Sequence, residues 1–142
     1  MGEELSRIER LERWAFALEA CPQERLCPFQ RVEFMTSEAR APVRQANSPL
    51  EIAYRDPVLR RAGLESDRFG DGEAFFELSR DQAHRILCSC GYVGEMRSSE
   101  VARRIRAVIR RQERWRTARD QLAALTRWLS GLRPVAGVTR PA

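Results

Sequence analysis

Four cysteines and one histidine are the most reactive side chains in this 142-residue sequence. Cys21 and Cys27 lie near the start, and His84, Cys88 and Cys90 form the pattern H-x3-C-x-C. Thiolate and imidazole are the ligands zinc prefers, and four such groups close a tetrahedron. If a helix runs through His84, its buried face holds Ala83, Ile86, Leu87 and Cys90, which makes Cys90 a small core residue. His84 and Cys88 then sit one turn apart on a flank, so the set able to hold zinc is Cys21, Cys27, His84 and Cys88. The spacing is not that of a zinc knuckle. Free cysteine is also among the most buried residue types, so buried thiols with no cofactor are the plainer expectation.

Catalysis finds no motif to rest on. His84 and Cys88 at i, i+4 could activate a thiolate, but no orienting group accompanies them. There is no P-loop, no G-x-G-x-x-G, no G-x-S-x-G and no H-E-x-x-H. The acid pairs Asp67/Asp71 and Glu73/Glu77 read as solvated turn or helix surface.

Charge is the second chemical resource. Every one of the 25 basic residues is arginine, a planar fork of donors suited to carboxylate, phosphate or an aromatic face. Residues 1–96 carry 13 Arg against 17 acids, a balance of −4, whereas residues 97–142 carry 12 against 3, a balance of +9. At 100° per residue Arg103, Arg106, Arg110 and Arg114 share the helix face opposite Val101 and Ile105, and Arg104 and Arg111 widen the stripe. Glu100 is placed to answer Arg104, and Asp120 to answer Arg116. A stripe so thinly diluted by acid suits an anionic partner, either nucleic acid or an acidic protein.

These residues need elements to hold them. Leu5, Ile8, Leu11, Trp14, Ala15 and Leu18 predict a first helix over Glu3–Ala20, ended by Pro22. Thr36 or Ser37 can cap a brief helix before Pro42. Ser48-Pro49-Leu50-Glu51 and Asp56-Pro57 are further starts, and Gly63 is a stop. Ser66 to Glu73, centred on Gly70-Asp71-Gly72, reads as a turn, and Ala74–Leu78 as a short helix. Ser79 and Gln82 form a capping box for a helix to about Cys90, stopped at Gly91.

A last helix, capped by Ser98 or Ser99, runs to about Leu129, nearly 50 Å at about 1.5 Å per residue. Val101, Ile105, Val108, Gln112 and Trp115 give it a heptad-like seam, with Ile109 beside it. Leu122, Leu125 and Leu129 continue an apolar face beyond Arg119. Helix, short turn and basic helix follow one another from Ser79 to Arg114 in the order of a helix-turn-helix. The connection after Gly91 is several residues too long for that motif, and Arg97 stands where it needs an apolar residue.

The fold expected is therefore mainly α. One small domain spans 1–133, with the N-terminal helix packed on a long C-terminal amphipathic helix, short helices between, and a frayed tail over 134–142. The function expected is a non-enzymatic regulatory or adaptor protein that engages an anionic surface through the arginine stripe. Its rivals are a structural subunit that joins an assembly or a homodimer through the apolar seam, and a zinc-stapled domain. No apolar run reaches the roughly 18 residues of a membrane span, and MGEELSRIER has no signal-peptide character, so a cytoplasmic location with reduced thiols is expected.

Overall fold

The computed structural model describes residues 4–132, which leaves the expected tail over 134–142 outside the described residues. The chain is mainly α, with seven α-helices and one short antiparallel strand pair among these residues. Within the span expected to form one domain it separates after Ile109 into two compact units, residues 4–109 and 110–132.

Helix α1 (Arg7–Glu19) begins later than the apolar pattern suggests, because Ser6 and Glu9 form a reciprocal capping box. The Glu9 amide donates to Ser6 Oγ and the Ser6 amide to Glu9 Oε2, which satisfies two of the orphan donors of the first turn. Its inner face, Leu11, Trp14, Ala15 and Leu18, is fully buried. Trp14 stacks on Phe76 at 4.2 Å and donates its indole N–H to the Pro49 carbonyl at 2.9 Å, so the largest core side chain leaves no unpaired donor.

The short helices start where the sequence places them. Thr36 caps α2 (Ser37–Arg40), Ser48 caps α3 (Pro49–Arg55), Asp56 caps α4 (Pro57–Arg61), and Ser79 with Gln82 boxes α6 (Arg80–Leu87). Gly63 follows α4 with a positive φ of 113°. Asp56 also accepts from Arg13 Nε at 2.8 Å, tying α4 to α1.

The reading of Gly70-Asp71-Gly72 as a turn is corrected by α5 (Phe69–Phe75), which contains all three. A Cβ on Gly70 would lie 2.7 Å from the Ala41 Cβ and 2.8 Å from its Cα, and one on Gly72 would lie 2.4 Å from Leu50 Cδ2. These glycines serve close approach rather than chain reversal. The helix ends at Phe75, and Glu77 takes a left-handed φ of 49°. Arginine forks then close its carboxyl end. Arg7 Nε donates to the Phe76 and Glu77 carbonyls, and Arg10 to the Phe75 carbonyl.

Strand β1 (Arg25–Leu26) pairs antiparallel with β2 (Met96–Arg97) and delivers the chain into α7 (Ser98–Gly131). Ser98 is not a cap but the first helical residue. Its amide donates to the Glu24 carbonyl at 2.9 Å, the Ser99 amide donates to the Pro22 carbonyl, and the buried Ser98 hydroxyl donates to the Leu18 carbonyl at 2.6 Å. The N-terminal helix thus packs on the beginning of the long C-terminal one. Val101, Ala102, Ile105 and Ile109 complete the core. Their steps follow the 3.6-residue period of a straight helix rather than the expected 3.5-residue seam, so Val108 is only partly buried and Trp115 is exposed.

Gly70→Ala tests the close approach. Alanine in a helix normally gains about 1 kcal/mol over glycine. Here the Ala41 backbone blocks the methyl, so the expected result is the opposite sign, a melting temperature lower by several degrees. A rise would show that α5 and Ala41 can separate without cost.

Candidate interaction surface

The cysteines do not form a cluster. Among the described residues no three His, Cys, Asp or Glu side chains converge on a position able to hold a metal ion. Cys21 is exposed after α1, Cys27 is exposed just after β1, and His84 is half-buried on α6. Cys88 is fully buried. The assignment of Cys90 to the core is reversed as well. Helix α6 stops at Leu87, Cys88 turns extended to bridge Phe29, and Cys90 is left exposed on a short 3-10 turn. The helical phase that would have buried Cys90 ends before reaching it. Burial pushes the Cys88 thiol up to about 12, further from the reactive thiolate.

Three of the six stripe arginines lie in the first unit and have partners there. Arg103 and Arg104 both bind Glu100, whose carboxyl is held below the usual carboxylate range, first of all by the Arg103 hydrogen bond. Arg104 also donates to the Arg85 carbonyl at 2.6 Å and lies 4.0 Å above the Tyr92 ring. The Tyr92 hydroxyl in turn donates to the Ile86 carbonyl. Arg104 therefore closes the carboxyl end of α6. Arg106 sets Nε and Nη2 on the two Glu19 oxygens at 2.6 and 2.8 Å, and this fork lowers the Glu19 carboxyl.

The second unit differs. Arg110, Arg111 and Arg114 are exposed, as are Arg116 and Arg119, and no ion pair among the described residues reaches any of the five. The expected pairing of Arg116 with Asp120 is absent from them too. Arg110, Arg114, Thr117 and Gln121 form one polar face of the helix.

On the same stretch Trp115, Leu122, Leu125, Trp128, Leu129 and Leu132 are all between 51% and 66% exposed. All but Trp128, which flanks them, fall with Ala118 in a strict alternation of three- and four-residue steps, 115–118–122–125–129–132. The exposed large apolar residues of the first unit, Phe16, Phe34 and Val93, carry no such repeat. Leu122, Leu125 and Leu129 were legible as an apolar face from sequence. That this face lies bare was not, because an apolar repeat reads the same in sequence whether it is covered or exposed. Comparison with protein-family models, curated proteins and solved structures found no match.

The thiols supply a direct check. An aromatic disulfide reagent should modify Cys21, Cys27 and Cys90 of the native protein quickly and Cys88 only after denaturation. Four equally fast equivalents would contradict the burial of Cys88.

Proposed function

We propose that this chain is a non-enzymatic interaction protein that joins a larger assembly through the apolar face that runs along the end of α7 from Trp115 and finishes at Leu132, just beyond it. The observation that carries this reading is the concentration of six large, more than half-exposed apolar side chains on that stretch. Their combined open surface is on the order of 700 Å², above the roughly 300–600 Å² of the largest apolar patch on an ordinary monomer. No helix among the described residues is long and apolar enough to cross a membrane, which fits a face meant for a protein. The experiment is size-exclusion of the tagged full chain from a cell extract, beside Leu122→Gln/Leu125→Gln. The wild type should elute well above the monomer and the variant as a monomer with an unchanged melting temperature, since neither side chain supports the core. A variant that keeps the wild-type elution volume would refute the reading.

A second reading draws on a different observation, the five exposed arginines of residues 110–119 without ion pairs. They could engage nucleic acid or an acidic protein, with the regulatory role that such binding implies. Binding to random duplex would weaken steeply with salt. In Arg110→Gln/Arg111→Gln/Arg114→Gln, every arginine–phosphate pairing removed would flatten the log–log slope by about one. Equal and negligible binding by both proteins at about 50 mM salt would remove nucleic acid as the partner.

A further inference from the structure

We infer that the occupant of this apolar face is a second copy of the same chain, lying antiparallel to the first along residues 115–132. This rests on the interaction reading above and names its partner. The alternation places Trp115, Leu122 and Leu129 at one core position of the heptad and Ala118, Leu125 and Leu132 at the other. In an antiparallel pair the two kinds of position meet each other. Trp115 falls level with the second copy's Leu132, Ala118 with its Leu129, and Leu122 with its Leu125. Every layer then joins a large residue to a Leu or an Ala to a Leu, which spreads side-chain volume more evenly than pairing like positions. A parallel pair in register would instead set Trp115 on Trp115 beside an Ala118–Ala118 layer, an overpacked layer next to a void.

The flanking residues point the same way. Arg114 and Arg119 occupy the two positions that face each other across a parallel pair, so the pair would set guanidinium against guanidinium once on each side of the seam. Turned antiparallel, Arg119 comes beside the second copy's Thr126, and Gln121 beside its Trp128, with no like charges adjoining. Both arginines are exposed, and neither has an ion partner of its own helix to offset the repulsion. Burying the open apolar surface of both copies removes on the order of 1,400 Å² from water, inside the roughly 1,200–2,000 Å² of specific interfaces.

The test is sedimentation equilibrium of the purified full chain at up to about 100 μM. The expected result is the mass of two chains, reduced to one by Leu125→Asp with no change in melting temperature. Orientation is read from Arg119→Glu. In a parallel pair this change would turn Arg–Arg repulsion into Glu–Arg attraction on both sides of the seam and tighten the dimer by about fivefold or more. An antiparallel pair should stay within about twofold. A tightened Arg119→Glu dimer overturns the orientation. A purified chain that is monomeric throughout overturns the second copy, and two further measurements then identify the occupant. Retained high mass in extracts that still depends on Leu122 and Leu125 leaves the interaction reading standing with a different protein partner. A monomer that instead co-sediments with vesicles of anionic phospholipid assigns the face to a lipid surface. Loss of both the dimer and the extract assembly removes the two proposals together.

Discussion

The hydroxyl of Ser98 is buried and donates to the carbonyl of Leu18, the last buried residue of α1. A polar group so placed costs free energy unless it is paired, and there is only one rotation of α7 about its axis that pairs it. That rotation decides which sides of the helix face in. Val101, Ala102, Ile105 and Ile109 turn to the core, Arg106 turns to Glu19, and Arg104 turns to Tyr92 and the end of α6. The two-residue strand pair holds the same junction from outside. Within the first unit the last residue that this rotation buries is Ile109.

Arginine performs two kinds of work in this molecule. Several forks satisfy helix-terminal carbonyls that have no intrahelical donor: Arg7 and Arg10 at the end of α5, and Arg104 near the end of α6. A single ammonium lacks the planar spread by which Arg7 reaches two successive carbonyls and the Gln82 side chain together. Other arginines remain in solvent. A sequence count cannot separate these roles, and the positive balance after residue 97 therefore overstates the charge free to meet a partner. Part of it is answered by Glu19 and Glu95, acids that lie before that stretch.

Local signals were the most legible. Thr36, Ser48, Asp56 and the Ser79–Gln82 box mark helix starts because capping is settled within four residues. The Ser6–Glu9 box carried the same signal and displaces the start of α1 from Glu3 to Arg7. What could not be read was everything set by distant contact. Gly70 and Gly72 have turn chemistry in sequence, but Ala41 and Leu50 press against them and a helix results. Cys88 and Cys90 exchange places between core and surface because Phe29 pairs with the chain at Cys88 and ends the helical phase. The arginine stripe was legible as a pattern of side chains, whereas the acids that answer Arg103 and Arg106 depend on tertiary placement or on an i, i+3 geometry.

The two glycines of α5 bear on the order in which the molecule assembles. A seven-residue helix with two glycines and no side-chain N-cap is far below the length and propensity at which a helix persists in water. Its hydrogen bonds become favourable only once Phe69 and Phe76 have a place among Phe29 and Trp14. Helices α1 and α6, each with a capping box, can flicker into being on their own. Segment 69–75 has to wait for the surface it docks on, and it is the natural place for amide hydrogens of the folded state to exchange first when the core loosens.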